Sequence, residues 1–224
     1  PVTTLLGFKG MPAIAEEMAI QRDCSLVAYS GQKLHISGVS TKEAVAALRE
    51  AKKNKLPVTA EVYVYHLLLD DAALNSFDSN FKVKPPLRSP EDVIALRKAV
   101  LDGTIDVVCS DHCPEDLESK DVEFDYAANG MIGLESFYGV LQESFKGKLS
   151  DERLYDLLVL NPRKILGLEV PSIQEGTTAN FTIYHPSLKW KFTKDGIASK
   201  SVNTPFLEKE FTGKVLACGN GGVV

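Results

Sequence analysis

Apolar positions along the chain fall into two alternating rhythms. From Met11 to Tyr29 they recur at helical spacing through Ile14, Met18 and Leu26, with Pro12 suited to a first turn and Gly31 to a stop. Lys33-Leu34-His35-Ile36-Ser37 then reads as a short strand. Ser40 or Thr41 is placed to cap a helix running to Lys53, with Ala44, Val45, Ala47 and Leu48 on one face. Pro57 to Val64 alternates and is β-branched, which predicts a second strand. Beyond a loop holding Asn80 to Pro86, Ser89-Pro90-Glu91 opens a helix to about Leu101, with Ser89 as N-cap and Pro90 as first helical residue. Ile105 to Cys109 is a third strand, apolar after Asp106 as buried parallel strands are. Helices over 133–145 and 151–160 follow, the second capped by Ser150.

This return of strand, loop, helix and strand at intervals of roughly 30 residues predicts βαβ units on a parallel sheet. A fourth strand is expected to be short, either after the 89–101 helix or in the loop beyond Lys82. After Gly167 the texture changes. Residues 178–184, 189–193 and 213–217 are short, β-rich and separated by Gly, Pro and Asn. The boundary is drawn near Pro171, giving an α/β part over 1–170 and a small β unit over 171–224.

Composition narrows the function classes. The 224 residues are 44% hydrophobic and 25% charged, ordinary for a globular protein and too apolar for a disordered one. A net charge of −5, from 25 basic and 30 acidic residues, argues against a nucleic-acid binder. No apolar run approaches the ~20 residues that cross a bilayer, so no membrane partner is expected. Cys24, Cys109, Cys113 and Cys218 are scattered and form no Cys-x-x-Cys pair, which suits reduced thiols in a cytoplasmic protein. The start, Pro1-Val2-Thr3-Thr4, has neither an initiator Met nor a leader pattern and reads as the middle of a chain.

In parallel α/β folds ligands sit at the carboxyl ends of strands. The diagnostic positions are therefore Gly38-Val39-Ser40-Thr41, Tyr65-His66 and Ser110-Asp111-His112-Cys113-Pro114-Glu115. A His and a carboxylate from separate strand ends can converge on a divalent metal, and the carboxylate can take a proton from a bound water. Each residue also has an ordinary structural role open to it. His66 can be a hydrogen-bonded scaffold residue, and Asp111-His112 can cap a turn. His35 falls inside a strand, as core or supporting shell, and His185 beside Pro186 suits a surface turn.

At these strand ends the wording resembles the dihydroorotases, cyclic amidohydrolases. Gly7-Phe8-Lys9-Gly10-Met11-Pro12 with Glu16-Glu17 is similar to their LGxKGxPxxAEE segment, and Leu34-His35-Ile36-Ser37-Gly38-Val39-Ser40-Thr41 to LHIAHVST. Val58-Thr59-Ala60-Glu61-Val62 leading to His66-Leu67 resembles VTAEVTPHHL. Asn80 to Arg88 resembles NFKVNPPLR, and Asp102 to Pro114 resembles DGTIDxxxTDHAPH. Gly130-Met131-Ile132-Gly133-Leu134-Glu135 resembles a GxxGLE helix start, and Ser199 to Phe206 with Gly213-Lys214-Val215 matches the C-terminal β segment. A hydantoinase or allantoinase relative would share the machinery, but the Lys-Val-x-Pro-Pro-Leu-Arg wording points to dihydroorotases.

The resemblance implies the second half of a TIM-like (β/α)8 amidohydrolase barrel plus part of a small β domain. It implies zinc, and interconversion of dihydroorotate and N-carbamoyl-aspartate in pyrimidine synthesis. Carried over by position, His66 and Asp111 match metal ligands, and Asp111 also matches the general base on the attacking water. Lys84 stands where the family has an Asn that contacts substrate, and the stretch around Ala128 and Gly130 matches a loop whose backbone faces substrate. Other departures are sharper: Gly38 replaces a ligand His, Tyr65 replaces the first of paired histidines, and Glu115 replaces a His that contacts substrate. The family's His-x-His, its Arg and the remaining metal ligand fall outside the matched half. Two outcomes stay open: a dihydroorotase with a diverged site, or an inactive relative that supports a partner such as aspartate transcarbamoylase. A half-barrel with unpaired edges also predicts a homodimer or another self-associated state.

Overall fold

The computed structural model describes residues 2–221; Pro1, where the mid-chain reading of the start begins, lies outside them. A short helix α1 (Val2–Leu6) and a long helix α2 (Ala13–Ser30) precede β1 (Leu34–Ile36). There follow α3 (Lys42–Lys53), β2 (Val58–Tyr63), three 3-10 turns, α4 (Pro90–Asp102) and β3 (Val107–Cys109). The three strands form one parallel sheet in the order β1-β2-β3, with Leu34 opposite Val58 and Glu61 opposite Val107.

Local signals explain where these elements start and stop. Gly31, at φ 67°, closes α2 in the left-handed region and returns its N–H to Val27 O. The Thr41 side chain accepts from Ala44 N to start α3. Ser89 and Asp92 complete a capping box at the start of α4, with Pro90 in the first turn. Asp92 also accepts from Lys42 N, which ties the start of α3 to the start of α4. Along β2, Val58, Ala60 and Val62 are buried while Thr59, Glu61 and Tyr63 alternate with them. The first set packs with Val45, Leu48, Leu96 and Val100 of the helices, all essentially inaccessible to solvent. Burying such a side chain contributes about 1.5–3 kcal/mol.

Several expected boundaries are corrected. The third strand begins at Val107 rather than Ile105, because Asp106 spends its side chain on the ladder: Oδ2 accepts from Ala60 N, and both oxygens accept from Lys52 Nζ. No fourth strand joins the parallel sheet among the described residues. His112 and Met131 make only an isolated parallel bridge, and the loop after Lys82 is turns and irregular chain. After α5 (Leu117–Lys120), helix α6 begins at Phe137, four residues later than Gly133. The intervening backbone is used otherwise, as Gly133 N and Leu134 N both donate to His112 Nδ1. The predicted 151–160 helix is α7 (Asp151–Tyr155) followed by a π turn, and helical chain continues as α8 (Asn161–Leu166).

The β-rich tail is two long strands rather than three short ones. β4 (Phe181–Lys191) pairs antiparallel with β5 (Glu210–Gly219), with irregularities at Ile183/Tyr184 and His185/Lys189. His185 is exposed at the second irregularity, within β4 and not in a turn. The pair packs on α6, where Gly139 is small enough to admit the Phe211 ring. Phe192, Phe206 and Phe211 join the same hydrophobic cluster as the sheet.

Candidate active site

The face of β2 turned away from the helices carries polar side chains. His35 Nδ1 is 2.9 Å from Thr59 Oγ1, and its Nε2 is 3.3 Å from Glu61 Oε2. Ser37 donates to Glu61 Oε1 at 2.6 Å and lies 3.3 Å from the Tyr63 hydroxyl. The hydrogen bond from His35 holds the Glu61 carboxyl below its ordinary pKa, with Ser37 assisting. His35 is thus a strand residue in a supporting role.

Asp111 follows β3 in the left-handed region, at φ 45°, an uncommon conformation for a non-glycine residue. Its Oδ2 accepts from the Tyr65 hydroxyl at 2.5 Å. Burial raises the Asp111 pKa, opposed by that hydrogen bond and reinforced by the negative charge of Glu61. Burial also pushes the Tyr65 phenol upward, so it stays protonated and remains the donor.

His66 is placed differently from the expectation that it shares a ligand set with Asp111. It is 1% exposed, and Nε2 lies 3.1 Å from Pro85 O and 3.3 Å from Pro86 O. Carbonyls only accept, so Nε2 carries the proton and Nδ1 is a buried lone pair without a partner. Burial lowers the His66 pKa to about 4, keeping the ring neutral. Its effect is to hold the loop that carries Lys84. The exposed Lys84 lines a cleft of about 610 Å³ together with His35, Ser37, Gly38, Pro85 and Arg88.

The remaining expected residues are engaged locally. Lys120, buried, donates to Ala128 O at 2.9 Å and Gly130 O at 3.0 Å. Ala128 N donates to Ser119 O within the loop and Gly130 N to Lys82 O of the loop before α4, so both backbone N–H groups are taken up by the protein itself. Glu115 lines another cleft, of about 760 Å³, beside Lys120 and Lys200, away from the cleft of Lys84. Cys113, His112 and Asn203 complete this loop's scaffold, with Asn203 Nδ2 donating to Cys113 O.

Sequence reasoning missed three things. Glu16, read only as part of a motif, accepts from Ser40 N and Thr41 N at 2.8 and 3.0 Å and fixes the Gly38–Thr41 strand end. Arg88 backs it, with Nη2 3.5 Å from Glu16 Oε2 and Nη1 donating to Met11 O. Tyr63 was the third; the period-two alternation of Thr59, Glu61 and Tyr63 was the signal that could have found it.

A divalent metal does not fit the side chains of this half. Gly38 offers no ligand, Tyr65 occupies Asp111, and His66 faces the Pro85–Pro86 carbonyls. Among the described residues no three His, Cys, Asp or Glu side chains are grouped to hold an ion.

Three parallel strands with helices packed on them and a polar cleft beside β1 define an α/β protein with the arrangement of a ligand-binding parallel sheet. Residues 12–215 match the model of the amidohydrolase family, and the chain belongs to that family. It is 41% identical over 214 residues to a dihydroorotase of Anaeromyxobacter dehalogenans, covering 94% of this chain and 49% of that protein. It is 42% identical over 216 residues to a dihydroorotase of Pelobacter propionicus, covering 96% and 51%. Among solved structures, dihydropyrimidinase from Brevibacillus agri superposes with a TM-score of 0.86 at 26% identity, covering 95% of this chain and 48% of that one. The chain spans about half the length of the relatives it matches.

Proposed function

We propose that the full-length protein is a dihydroorotase-like cyclic amidohydrolase acting on dihydroorotate and N-carbamoyl-aspartate. The observation that carries this is the 41–42% identity to proteins named dihydroorotase over nearly the whole chain. It is supported by a carboxylate, Asp111, at the carboxyl end of β3. In this reading Asp111 takes the proton of the attacking water. With Oδ2 held by Tyr65, Oδ1 is the oxygen left for that task, and the raised pKa makes it a stronger base. Lys84 supplies a positive charge for the substrate carboxylate, and His66 positions Lys84 through the Pro85–Pro86 loop. Zinc, pyrimidine synthesis and a cytoplasmic setting belong to the same proposal. Dihydroorotate hydrolysis by the full-length protein tests it; no turnover counts against it.

A further inference from the structure

We infer that the centre of this half-barrel is a closed tyrosine–carboxylate network, in which Tyr63 fills the space before Gly38 and Tyr65 occupies Asp111, and that Asp111 is therefore not a metal ligand. Any divalent ion the whole protein carries is then held by side chains outside residues 2–221. The inference concerns the site of the proposed activity but rests only on family membership and geometry.

Three observations carry it. The space before Gly38 is not vacant. A Cβ built there meets Tyr63 Cζ and the Tyr63 hydroxyl, each at 3.0 Å, and Gly38 itself is at φ +71°, where side chains are strained. A histidine restored at 38 alone would collide with the phenol. The glycine and the tyrosine therefore read as one exchange, a small residue facing a large one.

The carboxylate is also occupied. A zinc-bound oxygen sits about 2.0–2.2 Å from the ion and donates a lone pair to it. Tyr65, 1% exposed, already aims its proton at Asp111 Oδ2 from 2.5 Å. That bond leaves Oδ1 open, but an ion there would meet no second ligand from this half, since Gly38 has no side chain and His66 faces the Pro85–Pro86 carbonyls.

The neighbouring donors are likewise committed to one another. Glu61 is shared between His35 and Ser37, and Ser37 reaches the Tyr63 hydroxyl. His66 has one uncommitted lone pair, Nδ1, but its ring is sandwiched beside Tyr65, with centroids 4.7 Å apart, and near Tyr63 at 6.0 Å. These aromatic faces offer no second ligand. The polar groups thus satisfy each other where a metal centre would leave lone pairs pointing at a common point.

The test uses the full-length protein and zinc as the probe. Zinc content is measured by plasma mass spectrometry, and affinity by competition with a chromophoric chelator, for wild type and Asp111→Asn. Equal content, zero included, and affinities within about twofold are expected, since a lost zinc ligand typically costs more than the 10–100-fold seen for its supporting shell. A tenfold or larger loss of affinity in Asp111→Asn overturns the inference. Zinc-soaked crystals of the wild type give a reading that needs no variant. Tyr65 on Asp111 with no anomalous peak beside that carboxylate is the expected map, and a peak there overturns the inference. Turnover is a separate readout, so loss of the proposed activity leaves these outcomes unchanged.

Discussion

His66 shows how a single residue can be read correctly as to place and differently as to role. It lies just beyond a strand end, as its position in the sequence suggests, but its ring faces two carbonyls. Its neutral form has a consequence for stability. The unfolded imidazole titrates near 6.5 and the folded one near 4, so between these values only the unfolded chain binds the extra proton. A lowered pKa in a base means stability falls as pH drops through 6.5 towards 4, by up to roughly 3 kcal/mol at the lower end. His66→Gln keeps a side-chain donor for Pro85 O and removes the titration. Urea denaturation from about pH 7 to 4.5 is expected to show a shallower decline for the variant than for wild type. Equal slopes would show that His66 does not titrate as its burial demands.

Among the elements, the strand and helix starts were legible because local chemistry decides them. Ser89 with Asp92, Thr41 with Ala44 N, and Gly31 each act within one turn. The errors lie where distant groups compete. Asp106 takes the N–H of Ala60 across the sheet and shortens β3, and His112 takes two N–H groups that would otherwise open α6. The site was legible to the same extent: Asp111 is at its strand end and period-two alternation marks Tyr63, but the bond of the Tyr65 phenol to Asp111 acts across the sheet and leaves no mark in spacing. The junction of α6 with β5 gives a direct test of packing. A methyl on Gly139 would lie 2.8 Å from Phe211 Cγ, so Gly139→Ala is expected to cost about 1–3 kcal/mol by overpacking. A further Phe211→Leu change should recover part of that loss of Tm. If Gly139→Ala melts with wild type, α6 and β5 are not in this contact. We also propose the domain boundary near Pro171. Residues 172–179 are exposed and carry no helix or strand, and limited proteolysis should cut there first. Initial cleavage within α3 or α4 would contradict the boundary.

At the scale of the whole molecule, the described sheet ends at β1 and β3, each with one neighbour. The outer side of α2 also exposes large apolar residues, Met18 at 63% and Tyr29 at 93%, alongside Arg22. Unpaired edges and such a face favour association. We therefore expect the 224-residue chain alone to be a homodimer or larger species by light scattering at high concentration. A clean monomer would contradict this. By itself it should also show no amidohydrolase turnover, because a catalytic zinc site typically needs three protein ligands and no three such side chains are grouped among the described residues.

The central claim is that the full-length protein works as a cyclic amidohydrolase with Asp111 as its base. The most direct measurement is the rate of dihydroorotate hydrolysis by full-length wild type and by Asp111→Asn, which keeps the shape and removes the proton acceptor. Loss of a general base typically lowers the rate on the order of 10²–10⁴-fold, and that fall, with zinc content unchanged, is the predicted result. A wild type that turns over while Asp111→Asn stays within about threefold of it, far short of a general-base effect, would contradict the account.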